Sequence, residues 1–269
     1  MPKRIIRLLL LVPILALLLA PAGCRRDFGS QQPESPAPAD SGIGKLDLRF
    51  RELNEQILRD SLNPRLRFER AELMKLRGNI PGAYQEMERV VELDSTKAEY
   101  QLALADVAFR ALQIPRSVQA FEHCLRIDPK NTEARLRLAE IYFYLKAYPK
   151  AIESANNALR LNERLPRAYS IKGFVYKESG DTARAVSSFQ TVLDLDPENY
   201  DAQRELGRIF AAKKDPLALQ YYNNALRIRP GSGEILYNRG LYYQETGKLD
   251  LAEADYKTLI AADSKDPDA

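Results

Sequence analysis

The side chains best suited to covalent or metal chemistry are few in this sequence: two cysteines, Cys24 and Cys124, and one histidine, His123. His123 and Cys124 are neighbours, the one place along the chain where an imidazole and a thiol adjoin. A nucleophilic thiolate needs a base aimed at it, and a structural metal site needs four converging donors. Successive helical positions point about 100° apart, so these two side chains diverge, and no third ligand or base accompanies them. Cys124 therefore reads as a small apolar core residue. The carboxylates, 37 Asp and Glu against 40 Lys and Arg, read as solvated helix-face charges. No HExxH, GxSxG or Walker-type glycine loop is present. The sequence nominates no catalytic residue, no metal ligand and no cofactor, and the expected activity is binding rather than catalysis.

Composition narrows the class of partner. The chain is 45% apolar and 29% charged, which suits a folded body, and its formal net charge is +3. Three of its cations, Lys3, Arg4 and Arg7, lie in residues 1–23, which hold no Asp or Glu, so the remainder is neutral. Neutralising phosphates requires an excess of Lys and Arg, and no nucleic acid is expected as a partner. Cys24 and Cys124 stand in such different contexts that no disulfide between them is expected.

The first 24 residues have the layout of an export signal. A basic start precedes an apolar run from Leu8 to Ala20, broken by Pro13, and small residues follow. The run is short of the roughly 20 residues that a membrane span needs. Ala22-Gly23-Cys24 resembles the bacterial lipobox, with Pro21 standing where that pattern usually has Leu. The resemblance implies a lipoprotein-type signal peptide over 1–23 and lipidation of Cys24. Ordinary cleavage after Ala20-Pro21-Ala22 and an uncleaved anchor are the alternatives, and all three put the body outside the cytoplasm. Residues 24–45, with Pro33, Pro36 and Pro38 among Ser, Gly and Gln, carry few apolar side chains to bury and are expected to be a flexible tether. Arg25 stands next to the Cys, where inner-membrane retention in enteric bacteria uses Asp. This is similar to lipoproteins passed to the outer membrane, facing the periplasm.

The elements that carry the remaining side chains repeat. Leu93-Asp94-Ser95, Ile127-Asp128-Pro129, Leu161-Asn162-Glu163, Leu195-Asp196-Pro197, Ile228-Arg229-Pro230 and Ala262-Asp263-Ser264 recur at spacings of 34, 34, 34, 33 and 34 residues. Within the later units Gly173, Gly207 and Gly240 are followed by Ala185, Ala218 and Ala252 and by the rings Phe189, Tyr222 and Tyr256. In the earlier units Ala71, Ala105 and Ala139 take the Gly position, and Ala83, Ser117 and Ala151 hold the small site of the second helix. This pattern and its period resemble the tetratricopeptide repeat, a helix–turn–helix unit. The resemblance implies an all-α, right-handed α-solenoid of about six repeats, at 64–97, 98–131, 132–165, 166–199, 200–232 and 233–266. Ahead of them Leu46, Phe50, Leu53 and Ile57 share one face of a helix, which predicts a capping helix over 46–63. The last unit is not followed by a polar-faced helix, so Ala252, Tyr256, Leu259 and Ile260 are expected to lack a successor, and self-association or partner docking is expected at that end.

In the family the first helix of each unit lines a concave surface. The matching positions are Phe68 and Glu72, Leu102 and Asp106, Leu136 and Glu140, Ser170 and Phe174, Arg204 and Arg208, and Tyr237 and Leu241, with Phe109, Phe143 and Tyr144 a turn further on. Acids predominate in the first half and two arginines in the fifth unit, which suits a peptide with apolar anchors, basic at one end and acidic at the other. The alternative is that the aromatics pack between helices and the charges are solvated. A carboxylate clamp of the chaperone-binding kind needs Lys and Asn where this chain has Phe, Leu and acids, and is not expected. The layout implies a membrane-tethered scaffold binding proteins or peptides in the bacterial envelope. The alternative is a carrier, similar to pilotin lipoproteins, that sorts an outer-membrane secretion or pilus component.

Overall fold

Asn63, Asn79, Asn131, Asp181, Asn199 and Ser232 each stand immediately before a helix, and each side chain accepts a hydrogen bond from an amide of its first turn. Such caps satisfy donors that a helix leaves unpaired. Three cap asparagines are themselves held by an aspartate three residues earlier, Asp60, Asp128 and Asp196, at 2.9, 3.3 and 3.0 Å. The computed structural model describes residues 42–263, which form thirteen helices and, among the described residues, no strand. The first is α1 (Gly42–Arg59). Six hairpins follow: α2 (Pro64–Leu76) with α3 (Ile80–Leu93), α4 (Ala98–Arg110) with α5 (Ile114–Ile127), and α6 (Thr132–Tyr144) with α7 (Tyr148–Leu159). The last three are α8 (Pro166–Glu178) with α9 (Thr182–Leu195), α10 (Tyr200–Ala212) with α11 (Leu217–Ile228), and α12 (Gly233–Glu245) with α13 (Leu249–Asp263). Leu46–Ala269 is one compact unit, and of the other, Met1–Lys45, only the first turn of α1 is described.

The N-terminal boundary differs from expectation. The helix expected over 46–63 spans Gly42–Arg59, and Asp60 to Asn63 form the turn into α2. The expected tether of 24–45 therefore loses its last four residues to α1. Pro, Asp and Ser are frequent up to Ser41, and no proline lies in residues 42–45, where α1 gains a further turn despite Gly42 and Gly44. Cys24, the signal segment 1–23 and the rest of the tether lie outside the described residues. No described helix is long and apolar enough to cross a membrane.

Every hairpin closes the same way. The first helix ends in a residue with positive φ, and the next residue's amide reaches back five positions, as in Asn79 N to Met74 O at 2.9 Å and Gln113 N to Ala108 O at 2.8 Å. This is the Schellman ending that satisfies the last carbonyls. The positive-φ residue is Gly78, Gly180 or Gly247 in three repeats, but Leu112, Lys146 and Lys214 in the other three, at φ 59°, 56° and 54°.

Packing within a hairpin rests on close approach. A methyl at Gly173, Gly207 or Gly240 would lie 2.7, 2.6 or 2.7 Å from the rings of Phe189, Tyr222 and Tyr256. In the earlier hairpins Ala71, Ala105 and Ala139 share buried cores with Met87, Phe121 and Ala155. Four core clusters follow one another along the array, each joining helices of one hairpin to the next. Cys124 lies fully inside the first, and burial pushes its thiol up to about 11, which keeps it a neutral core group.

In the last repeat, Ala252 is buried, the Tyr256 ring lies against Gly240, and Leu259 reaches over Gly233. Of the four apolar residues expected to lack a successor, only Ile260 stands exposed, at 66%. The expectation for the other three is corrected: a hairpin's second helix packs first on its own partner. Asp255, only 5% exposed, is held there by the Arg239 guanidinium at 2.8 and 2.6 Å.

Candidate functional site

The first helices α2, α4, α6, α8, α10 and α12 position all thirteen residues assigned to the groove from sequence, but the structure divides those residues among several environments. Glu140, Phe143, Tyr144 and Phe174 meet in a recess of about 500 Å³ between α6, α8 and the start of α10, together with Pro166, Arg167, Ser170, Ile171, Asn199 and Asp201. Phe143 is the hub of its apolar wall, with ring centroids of Tyr144, Tyr148 and Phe174 at 5.7, 6.3 and 6.0 Å. Phe174 in turn stands edge-on to the buried Phe189 at 5.2 Å, so the wall is fixed to the core beneath it.

Phe68, Glu72, Leu102 and Asp106 line a second recess of about 290 Å³, with Lys75, Glu99, Glu133 and Arg137 around it. Arg208 lies in a third, of about 190 Å³, whose walls include Leu241 and Tyr242. Leu136 is buried in the core, and Phe109 is half-buried with the Arg137 guanidinium 5.5 Å above its ring. Arg204 lines none of these recesses, and Tyr237 is exposed, 6.2 Å from the Tyr256 ring.

The expected polarity of charge is corrected by neighbouring side chains. Glu72 holds Lys75 at 2.6 Å, and Asp106 holds Arg110 at 3.1 Å and Arg137 at 2.8 Å. Glu140 takes both Arg137 at 3.2 Å and Arg167 at 2.8 Å. Burial works against the Arg167 cation, but its hydrogen bonds to Glu133 and Glu140 outweigh it and hold its pKa above the ordinary value. The row of acids is thus a ladder of ion pairs running from α4 to α8. At the other end Glu205, 2% exposed, receives Lys177 at 2.8 Å and Arg204 at 3.1 Å. Arg204 also meets Asp201 at 3.1 Å, so the expected pair of free arginines reduces to Arg208, half-exposed and 3.9 Å from Glu205.

Arg137, Arg167 and Glu205 were the residues that sequence reasoning missed. The repeat period held the signal: Arg137 follows Asp106 by 31 positions, and Arg167 follows Glu133 and Glu140 by 34 and 27. With a 34-residue unit, those offsets place each arginine on the next first helix, within about two turns of the position equivalent to its partner. Among the described residues no group of three or more His, Cys, Asp or Glu side chains converges as a metal site. The arrangement offers an aromatic, solvent-open recess with a neutralised rim, which suits an apolar side chain on an extended segment.

Six helical hairpins repeated in sequence define an all-α repeat fold. The tetratricopeptide repeat model matches residues 102–166, 175–233 and 216–267, more than half of the sequence. The chain belongs to the tetratricopeptide repeat family. It is 31% identical over 106 residues to a photosystem I assembly protein, Ycf3, of Acaryochloris marina, covering 35% of this chain and 63% of that protein. The chain thus spans less than two thirds of that relative. Among solved structures, the C-terminal part of a repeat protein from Cytophaga hutchinsonii superposes with TM-score 0.67 at 20% identity, covering 83% of this chain and 93% of that one. Pseudomonas aeruginosa pilF superposes at 0.62 with 18% identity, covering 73% and 90%. YrrB, described as having an unusual peptide-binding site, superposes at 0.56 with 22% identity, covering 70% and 97%. At these identities the likenesses show the fold alone.

Proposed function

We propose that this protein is an envelope scaffold, tethered to a membrane through a lipid on Cys24, that holds a partner protein by an apolar side chain seated between α6 and α8. The observation that carries the reading is the recess of about 500 Å³, walled by Phe143, Tyr144, Ile171 and Phe174. Its volume lies within the roughly 300–1,000 Å³ of ordinary ligand sites. Glu140 and Arg167 neutralise one another at its rim, so the favoured partner is an extended, apolar-anchored segment, with polar groups of the rim fixing its register. The tether is supported by the Ala22-Gly23-Cys24 pattern and the Pro-rich stretch behind it.

Two substitutions test the two halves separately. Ser170→Arg fills the recess from a half-buried position without touching the core. Partners recovered from detergent-solubilised envelopes with the original chain should be missing with this variant, and an identical set from both overturns the groove reading. Cys24→Ser should abolish incorporation of labelled fatty acid. Unchanged labelling overturns the tether. A carrier for one outer-membrane subunit is the second reading, consistent with the same lipobox-like Ala22-Gly23-Cys24 pattern and repeat layout. It requires a single stoichiometric client, whereas a scaffold recovers several.

A further inference from the structure

Successive helices run antiparallel, so the turns that close the six hairpins fall along one edge of the array and the turns between hairpins along the other. The two edges differ in chemistry. The turns between hairpins mix both signs, Asp94, Asp128, Asp196 and Glu198 standing beside Lys97, Lys130, Arg160 and Arg229. The closing turns of the first three repeats, residues 75–82, 109–116 and 143–150, hold six Lys or Arg and no Asp or Glu.

The same three turns expose large apolar side chains: Leu76 at 70%, Leu112 at 81%, Tyr144 at 70% and Leu145 at 54%. Tyr144 also touches the aromatic recess, while the three leucines line none of the recesses described above. Several cations of this edge are tied to helix-body acids, as Arg116 is to Glu88 at 2.8 Å. Lys146 is exposed without an ion-pair partner, and Lys150 is likewise unpaired, its ammonium 5.4 Å from the Tyr142 ring. In the fourth turn Glu178 and Asp181 interrupt the pattern, and the fifth combines exposed Lys213, Lys214 and Leu217 with Asp215.

A second observation falls on the same residues. The positive-φ position that is Gly in repeats one, four and six is Leu112, Lys146 and Lys214 in repeats two, three and five. A left-handed conformation is strained for a side-chain-bearing residue, and such strain gathers where a side chain is used. Here it places one leucine and two lysines at the tips of three turns.

We propose that this edge docks on an anionic lipid bilayer, the leucines and Tyr144 entering the interface while the unpaired lysines meet lipid phosphates. Protruding tips with one or two apolar groups each, flanked by lysine, fit a broad charged plane. A peptide would seek a recess instead. The contact needs no lipid on Cys24 and shares only Tyr144 with the aromatic recess, and it would set the array edge-on to the membrane.

The test uses the chain from Arg25 onward, which keeps every described helix and every residue of the four cores. Its partition is measured by co-sedimentation with vesicles containing phosphatidylglycerol and with vesicles of phosphatidylcholine alone. It is compared with the triple variant Leu112→Gly, Lys146→Gly and Lys214→Gly. These substitutions relieve the left-handed strain, so the variant should melt higher than the original chain, and misfolding cannot account for a loss of binding. Expected is binding to the anionic vesicles that weakens with salt, and a loss in the variant on the order of thirtyfold. No binding to anionic vesicles, equal binding to both lipids, or full binding by the variant each overturns the proposal. The first outcome would leave this edge to an acidic protein.

Discussion

Replacing Gly207 by Ala should destabilise the protein although Ala is the better helix former. The added methyl would sit 2.6 Å from both Cδ1 and Cε1 of Tyr222, where carbon atoms are at ease at about 3.5–4 Å. The ring must therefore withdraw by roughly 1 Å. It has little room to do so, being 1% exposed in a core with Ala218, Ala225, Ile235 and Tyr242. Overpacking of this kind costs about 1–3 kcal/mol, and the helical preference of Ala over Gly returns about 0.5–1 kcal/mol. The net loss is about 1–2 kcal/mol, a fall in Tm of roughly 2–8 °C for a chain of this size. Repeat arrays distribute stability locally, so faster hydrogen exchange should concentrate in α10 and α11. Urea and thermal unfolding followed by circular dichroism measure the loss. The decisive control is the same change in a Tyr222→Ala background, where Gly207→Ala should stabilise by about 0.5–1 kcal/mol. Repeat two already houses Ala105 in one core with Phe121, so a neutral Gly207→Ala is a physically open outcome. Neutrality, or an equal cost in both backgrounds, would refute close approach as the reason for glycine.

Arg239→Met should lower stability by about 3 kcal/mol, because Asp255 would be left buried without its guanidinium. Adding Asp255→Leu should restore most of that loss in urea unfolding. The hydrogen bonds from Arg116 hold the Glu88 carboxyl below the usual carboxylate range, against the opposing effect of burial. A pKa lower in the folded than in the unfolded chain gives stability that is present above the unfolded value, about 4.3, and lost as pH falls through the folded one. An acid titration of unfolding free energy should therefore show about 1 kcal/mol less pH-dependent loss in Arg116→Met than in the original chain.

The fold was legible because a tetratricopeptide unit advertises its close contacts. Gly173, Gly207 and Gly240 stand at fixed distances from Phe189, Tyr222 and Tyr256, and a helical hairpin brings residues 15 or 16 apart into such contact. The period of 34 also placed each first helix, and with it the recess residues Phe143 and Phe174. What stayed hidden was which charges are spent inside the molecule. Glu72, Asp106 and Glu140 look like a free acidic row until Lys75, Arg137 and Arg167 are seen to neutralise it.

The sequence by itself determined the hairpins, their number and their buried small residues, because those depend on local periodicity and on contacts repeated in every unit. Tertiary structure alone decided three things. It showed that Leu136 belongs to the core, that Glu205 is buried beneath Lys177 and Arg204, and that Leu112, Lys146 and Lys214 hold left-handed turns on one edge. The first two depend on side chains from neighbouring helices, and the third on the backbone angle that the closing turn of a hairpin imposes. A one-dimensional pattern records residue types at each position, whereas the pairing of charges between helices and the angle at a turn exist only in the folded chain.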